Sequence, residues 1–232
     1  MNTKAVAIDG PSGAGKSTIA RAVAKKLGYF YVDTGALYRA IGYYILSKGA
    51  DTKDAQAVEV LLSGMLVEMR FVNGEQHVFI NEQDVTHRLR DNEVAMAASH
   101  VSAMKSVRAF LFDLQKNIAR ENNVVMDGRD IGTVVLPDAQ VKVFLTASAE
   151  ERAQRRFEEL MQKGQRVNYK TVLEGIMERD DNDVHRAISP LVQAPDAILV
   201  DTTGNSLDKS VQTLYDLISR RLDINSSAAS AI

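Results

Sequence analysis

A glycine-rich loop, placed between an apolar segment and an amphipathic one, constrains the fold of this chain more than any other feature. The apolar segment 5–9 is typical of a buried strand, and segment 18–27 has apolar residues at helical spacing. The loop between them fits the pattern G-x-x-x-x-G-K-[ST] and reads Gly10-Pro11-Ser12-Gly13-Ala14-Gly15-Lys16-Ser17-Thr18. A strand, a glycine loop and a helix in this order predict a binding site for the phosphates of a nucleoside triphosphate.

The residue types of the loop explain that prediction. Glycines allow backbone N–H groups to curl around an anion, and the N-terminus of the following helix contributes its positive dipole end. Lys16 is expected to reach the β- and γ-phosphates, and the hydroxyl of Ser17 is expected to bind Mg²⁺. The whole loop is therefore a candidate for nucleotide binding.

The composition of the 232-residue chain, with 45% hydrophobic and 25% charged residues, is ordinary for a soluble globular protein. A formal net charge of −2 argues against a nucleic-acid partner, because such proteins carry a basic excess. The lack of cysteine excludes disulfides and thiolate metal sites, and it fits a reducing cytoplasm. Because the predicted first strand begins within a few residues of Met1, we expect no signal peptide, and no apolar run is long enough to span a bilayer. We expect a cytoplasmic monomer without a membrane partner.

The order of the predicted elements indicates an α/β fold. Nearly all-apolar segments alternate with helical ones, which is typical of a parallel sheet covered by helices on both faces. Segment 66–85 breaks this alternation, because its Asn73-Gly74 pair predicts an antiparallel β-hairpin, to which residues 81–86 are expected to add a short third strand. A charged segment, 169–180, is predicted as a helix. The five predicted core strands are 5–9, 29–32, 123–127, 141–145 and 197–201.

Ligands of parallel α/β folds bind beyond the carboxyl ends of the strands. That rule selects the loop 10–18, Asp33-Thr34-Gly35 and Asp127-Gly128-Arg129-Asp130, which we expect to open on one crevice. Arg39 lies one helical turn after the second of these segments, so it and Arg129 are expected to face the nucleotide. Guanidinium groups hold phosphate oxygens through paired hydrogen bonds, which suits both arginines to phosphoryl transfer.

Other charged and titratable residues are less informative. Arg152, Arg155 and Arg156 share one helix face by their spacing, and Arg152 taken alone is expected to be a solvated surface charge. No histidine is placed to act as a general base. An acceptor that is itself a phosphate is already ionised near neutral pH and needs none. Several arginines without a histidine base therefore favour a kinase that acts on a phosphorylated acceptor.

Four motifs together resemble the bacterial cytidylate kinase family, and the resemblance spans nearly the whole chain. They are the glycine loop, Asp33-Thr34-Gly35-Ala36-Leu37-Tyr38-Arg39, Asp127-Gly128-Arg129-Asp130-Ile131-Gly132-Thr133 and Arg179-Asp180-Asp181-Asn182-Asp183. The resemblance implies transfer of the γ-phosphoryl group of ATP to CMP or dCMP with Mg²⁺. It also implies a P-loop NTPase fold with a five-stranded parallel sheet, a small antiparallel insertion that binds the monophosphate, and a short helical lid.

The resemblance further implies roles for individual side chains. Those for the acceptor phosphate are Arg39, Arg129 and Arg186; those for the cytosine are Ser99, Arg108 and Asp130; those for the sugar are Arg179 and Asp183. Thr34 stands near the acceptor, where the family often has serine. The implied catalytic residues are Lys16, Arg129, Arg155, Arg156 and Arg186, with Arg155 and Arg156 in the lid. Ser17 is the implied Mg²⁺ ligand, and Asp33 is a further candidate through a water molecule.

We accordingly divide the chain into four parts. The core occupies residues 1–62 and 91–224, and the monophosphate-binding insertion occupies residues 63–90. The lid is expected at about 152–186. The tail, 225–232, is small and polar and is expected to be flexible.

Two alternative functions are open from the sequence. A kinase for another small acceptor, such as UMP, dTMP or shikimate, would share the glycine loop and the lid arginines. A GTP-dependent switch protein would need an N-K-x-D guanine motif on a late strand, which this sequence lacks.

Overall fold

The computed structural model describes residues 3–222 and confirms the predicted α/β class. The flexible tail expected at 225–232 lies outside the described residues. No helix within residues 3–222 combines the length and the apolar character that a membrane span needs. In chain order the elements are β1 Ala5–Asp9, α1 Lys16–Leu27, β2 Phe30–Asp33, α2 Thr34–Ser47, α3 Ala55–Ser63, β3 Val67–Val72, β4 Glu75–Ile80, β5 Gln83–Asp84, a 3₁₀ helix Thr86–Arg90, α4 Asn92–Ser102, α5 Lys105–Glu121, β6 Val124–Gly128, a π-helical turn Ile131–Val135, β7 Val141–Thr146, α6 Ala149–Gln162, α7 Tyr169–His185, β8 Ile198–Asp201 and α8 Leu207–Arg221.

The central sheet has the order β2-β6-β1-β7-β8, and all its strands are parallel. Strands β1 and β6 are buried along almost their full length, which explains their nearly continuous apolar sequences. The register pairs Asp9 with Gly128 and Asp33 with Asp127. The carboxyl ends of β1, β2 and β6 are therefore level, and the segments that follow them leave the sheet side by side.

Helices bury apolar stripes on both faces of this sheet. Helices α1 and α8 cover one face, where Val23, Leu214 and Ile218 pack with residues of β1 and β7. Helix α5 and the π-helical turn contribute Ile118 and Ile131 to a separate cluster around β6. Both sides of the sheet are thus shielded from water, as the sequence pattern predicts.

The antiparallel insertion is a three-stranded sheet of order β3-β4-β5. Asn73 and Gly74 have φ angles of 53° and 80°, as a type I′ hairpin turn requires. The side-chain amide of Gln76 joins this sheet to the edge of β2: its Oε1 accepts from Asp33 N at 2.7 Å, and its Nε2 donates to Asp33 O at 3.0 Å. Phe71 also stacks on Phe30, with ring centroids 4.1 Å apart.

Three local features differ from the sequence-based expectations. The third hairpin strand is only two residues long, because a 3₁₀ helix begins at Thr86. The segment after Asp130 forms a π-helical turn that the sequence did not predict. Helix α7 continues to His185 rather than ending at residue 180. Its extra turn is held by side chains distant in sequence, notably Arg129, which donates to Asp183 at 2.7 Å.

Helices α2 and α4 approach each other closely at Gly42. A Cβ at this position would lie 2.9 Å from Ala97 Cβ and 2.9 Å from the backbone N of Ala98. One of the two contacted atoms belongs to the backbone, so a side chain at residue 42 would displace α4 as a whole. Helix α4 also carries Ser99, so this packing sets the position of a candidate site residue.

We predict that Gly42→Ala lowers the free energy of unfolding by about 1–3 kcal/mol, because it overpacks the α2–α4 contact. The matched control is Gly175→Ala in the middle of α7, where a Cβ meets nothing within 4 Å. That change should stabilise the protein by about 0.5–1 kcal/mol through helix propensity. Urea denaturation measures both, and equal effects of the two substitutions would contradict the close packing.

Candidate active site

A cavity of about 630 Å³ lies beyond the carboxyl ends of β1, β2 and β6. All three strand-end segments selected from the sequence contribute to its wall. Most of the residues predicted for the site line it, and these are Ser12, Gly13, Gly15, Lys16, Ser17, Thr18, Asp33, Thr34, Arg39, Ser99, Arg108, Arg129, Asp130, Arg155, Arg179, Asp183 and Arg186. Four predicted residues are not part of the lining, namely Gly10, Pro11, Ala14 and Arg156.

Glycine is required at the start of the loop by close backbone contact. Gly10 has a φ of 149°, and a Cβ there would lie only 2.0 Å from the carbonyl oxygen of Leu145. Gly15, with a φ of 83°, precedes the first residue of α1, and a guanidinium nitrogen of Arg155 would lie 3.6 Å from a Cβ at this position. The loop is thus shaped by residues without side chains, and the N-terminus of α1 opens on the cavity.

Lys16 is folded back onto its own loop. Its Nζ donates to the carbonyl oxygen of Pro11 at 2.7 Å, and the residue is buried. Burial, together with the positive charge of Arg129, lowers the pKa of Lys16 well below its usual range. A phosphate at this point would favour the charged ammonium, because it brings an opposite charge close to it.

Asp127 lies beside Ser17, the residue expected to bind Mg²⁺, although the sequence did not predict a role for it with the metal. Its Oδ2 accepts from Ser17 Oγ at 3.0 Å and its Oδ1 accepts from Tyr31 OH at 2.8 Å. Burial and the charge of Asp33 raise the pKa of Asp127. The sequence feature that could have indicated Asp127 is the position of this carboxylate at the end of an apolar strand. The structure places that strand next to β1. Within residues 3–222 no cluster of three or more His, Cys, Asp or Glu side chains could hold a metal.

Asp9 fixes the backbone that follows β6. Its carboxylate accepts from the N–H groups of Ile131 at 2.8 Å and Gly132 at 2.7 Å. These bonds begin the π-helical turn and thereby hold the preceding residues, Arg129 and Asp130, at the cavity. Burial raises the pKa of Asp9 from 3.8 to about 6, although the two N–H groups act in the opposite direction.

Two of the arginines expected to contact phosphate are held by carboxylates. Arg39 Nη2 donates to Asp33 at 2.6 Å, and Asp33 also caps α2 by accepting from Ala36 N at 3.1 Å. Arg129 Nε donates to Asp183, so the candidates for acceptor phosphate and sugar are bonded to each other. The carboxylate of Asp33 is thus bonded to Arg39 and to the N-terminus of α2, whereas the carboxylate of Asp127 is bonded to Ser17.

A buried pair of opposite charges lies deeper in the cavity wall. Arg108 Nη2 donates to Asp130, and both side chains are at most 10% exposed. Arg108 also donates to Ser189 Oγ at 3.1 Å and to Ser102 O at 3.2 Å, which fixes the plane of its guanidinium. The Nη2 of Arg186 is buried within the described residues without a hydrogen-bond partner, 3.9 Å from Asp130.

Thr34 and Ser99 differ in how available their hydroxyl groups are. Thr34 is buried, and its Oγ1 donates to the carbonyl oxygen of Asp127 at 2.8 Å. Its hydroxyl hydrogen is therefore used within the protein, and a ligand would meet the oxygen lone pairs. Ser99 is exposed at the cavity edge on α4.

The arginines of α6 are in three different environments. Arg155 lines the cavity and donates to Glu151. Arg156, about 100° further around the helix, donates to Glu159 at 3.1 Å. The expectation that Arg152 is a solvated surface charge was wrong, because its side chain is only 5% exposed. It donates to Ser12 O at 2.9 Å and to both carboxylate oxygens of Asp180.

A family profile and the similar sequences indicate the same protein family. A profile of the family described as "Cytidylate kinase" matches residues 6–220. The chain is 48% identical to a cytidylate kinase from Carboxydothermus hydrogenoformans, over 94% of this chain and 99% of the relative. It is 47% identical to a cytidylate kinase from Streptococcus mutans, over 91% and 97% of the two chains. A crystal structure of an uncharacterised protein from Eubacterium ventriosum shares the fold, with a TM-score of 0.53 and 14% identity over 94% and 99% of the two chains.

We predict that stability depends on pH through Asp9. Folding raises the pKa of this carboxyl, so the free energy of unfolding of the protein falls as the pH rises from 3.8 through about 6. Relative to Asp9→Asn, the unfolding free energy of the parent protein should therefore fall over this range, by up to about 3 kcal/mol at 1.4 kcal/mol per pKa unit. Urea denaturation at a series of pH values gives the difference. A difference that stays constant, or that moves the other way, would contradict the burial of this charge.

Proposed function

The chain belongs to the cytidylate kinase family, and on that premise we propose that it transfers the γ-phosphoryl group of ATP to CMP or dCMP. The products are ADP and CDP or dCDP. The protein would act in the cytoplasm as a monomer, without nucleic-acid or membrane partners. Its charge balance agrees with the lack of a nucleic-acid partner, and its lack of cysteine agrees with a reducing compartment.

The buried pair Arg108–Asp130 is the observation that carries this proposal beyond phosphate chemistry. Cytosine presents the N4 amino donor beside the acceptors N3 and O2. The pair offers the complement side by side, since the Asp130 carboxylate accepts from N4 and the Arg108 guanidinium donates to N3 or O2. Ser99, which also lines the cavity, adds a hydroxyl.

Other acceptors are not favoured by this arrangement. Uracil reverses the donor and acceptor at the corresponding positions, so Asp130 would face the O4 acceptor. Each group left unpaired in a closed pocket costs about 1–3 kcal/mol, and more if it is charged. Thymine shares the uracil pattern, and shikimate has no base to pair with Asp130. The guanine motif that a GTP-dependent switch needs is absent from the sequence.

The acceptor phosphate would be held by arginines and needs no general base. We assign this role to Arg39, Arg129 and Arg186. An anionic phosphate can replace a carboxylate as the partner of Arg39 or Arg129. The Nη2 of Arg186, which has no hydrogen-bond partner among the described residues, offers a further donor. Release of Asp183 from Arg129 would free its carboxylate for the sugar, with Arg179 beside it.

The donor would bind along the glycine loop 10–18, with Lys16 directed at the β- and γ-phosphates. Ser17 Oγ and the carboxylate of Asp127, 3.0 Å apart, are hard oxygen ligands that fit Mg²⁺, directly or through water. Bound there, Mg²⁺ would neutralise phosphate charge. Asp33 is a second candidate through water, although it also serves Arg39 and the cap of α2.

Transfer requires that water be excluded from the γ-phosphoryl group. We propose that segment 152–186 acts as the lid and that the insertion 63–90 closes over the monophosphate. Arg155, whose guanidinium lies near Gly15, and Arg156 on the next helix position would stabilise the transferring group. Thr34 would stabilise the acceptor side of the cavity through its hydrogen bond to the carbonyl oxygen of Asp127 in β6.

We predict that Asp130→Ala lowers kcat/KM for CMP by about 10- to 100-fold, because it removes the acceptor for the N4 amino group and leaves Arg108 unpaired. The affinity for ATP should change little. Steady-state kinetics and nucleotide titration measure the two effects, with Asp138→Ala, an exposed carboxylate in the following loop, as the control. Equal loss of CMP use and ATP binding would contradict a role in reading the base.

We also predict that Lys16→Met yields a folded protein whose turnover falls by several orders of magnitude. Interactions that stabilise charge on the transferring group are worth roughly 3–4 kcal/mol each. The control is Lys25→Met, an exposed lysine in the last turn of the same helix. Near-normal turnover in a purified and folded Lys16→Met protein would refute the assignment of the donor site.

A further inference from the structure

Arg152 occupies a buried position between the glycine loop and α7. Its Nε donates to Ala147 O and its Nη1 donates to Ser12 O, both at 2.9 Å. Nη1 and Nη2 donate to the two carboxylate oxygens of Asp180 at 3.0 and 2.6 Å. The guanidinium therefore joins the end of β7, the glycine loop and α7 through one rigid group.

Such a connection matters because α7 has little apolar attachment. Ile176 is its buried residue, and the helix is otherwise half-buried or exposed. At its N-terminus Tyr169 packs edge-on against Phe157 of α6. Towards its C-terminal half the helix is held by polar contacts. One of them is the pair of Asp180 with Arg152, whose side chain is only 5% exposed.

The residues on either side of Asp180 belong to the cavity. Arg179 precedes it directly, and Asp183 follows one helical turn later. The bond between Arg129 and Asp183 cannot position α7 while a ligand is bound, if the acceptor phosphate takes Arg129 as proposed. Arg152 and Asp180 lie outside the cavity lining, so an acceptor in the cavity would not replace either as the other's partner.

We propose that Arg152 and Asp180 are positioning residues for the acceptor site. They hold α7 in register with the glycine loop, so that Arg179 and Asp183 meet the sugar of the acceptor while the donor occupies residues 10–18. This inference rests on the proposed function. A planar guanidinium that binds both carboxylate oxygens fixes orientation as well as distance, which a lysine at this position cannot do.

The test is Asp180→Asn in the full chain, with kinetics measured against CMP and ATP separately. Asp180→Asn keeps the bonds from Arg152 to Ser12 and Ala147, so the donor loop is unchanged. KM for CMP should rise about tenfold or more, whereas KM for ATP should stay within about twofold. Hydrogen exchange of the amides in residues 176–185 should become faster, and that of α1 should not change.

The matched control is Asp181→Asn, which makes the same chemical change on the next residue of α7. Its side chain is 73% exposed and pairs with His185, so both KM values should be unaffected. If Asp180→Asn does not fold, Asp180→Ser, which also leaves the bonds from Arg152 to Ser12 and Ala147 in place, decides the question by the same selective rise in KM for CMP.

The outcomes separate the two proposals. Failure of the parent protein to phosphorylate CMP refutes the proposed function. A parent that phosphorylates CMP, with a KM for CMP that is unchanged in both Asp180→Asn and Asp180→Ser, refutes the positioning role alone. Equal rises in both KM values for each variant refute it as well, because they indicate a general loss of structure.

Discussion

Parallel pairing of β6 with both β1 and β2 is the constraint on which the rest of the structure depends. It sets Asp9 opposite Gly128 and Asp33 opposite Asp127, so three chain segments leave the sheet at one level. Because these segments carry the glycine loop and the arginines proposed to bind phosphate, the proposed donor and acceptor sites share one cavity. Asp9 continues the alignment beyond the strands by accepting from the backbone that follows Asp130. A shift of β6 by one residue would separate the two halves of the site.

Charge compensation is the second principle of the site. A cavity that receives two groups of phosphates needs several cations, and unpaired cations at this density would repel one another. Carboxylates hold Arg39, Arg108 and Arg129 in place, and Lys16 uses a loop carbonyl. Phosphates can then exchange for these partners without large movement of the guanidinium groups. The buried pair Arg108–Asp130 is different, because in the proposed function it offers its edge to a base rather than its charge to a phosphate.

Features encoded by neighbouring residues could be predicted from the sequence, and those made by distant residues could not. The glycine loop and the Asn73-Gly74 hairpin follow from local backbone preferences. The burial of Arg152 depends on Asp180 and Ser12, which are far away in the chain, so a periodic pattern could not reveal it. The π-helical turn after Asp130 likewise depends on Asp9. Helix α7 extends beyond residue 180 for the same reason, because tertiary ion pairs stabilise a charged segment whose own pattern shows no clear end.

Phosphorylation of a panel of acceptors by the purified protein, with ATP and Mg²⁺, tests the central claim most directly. The panel consists of CMP, dCMP, UMP, dTMP and shikimate, and ADP formation is followed with and without each. The account predicts ADP formation that depends on CMP or dCMP, with kcat/KM values well above that for UMP. Slow ATP hydrolysis that no acceptor stimulates, or a preference for UMP over CMP, would contradict it.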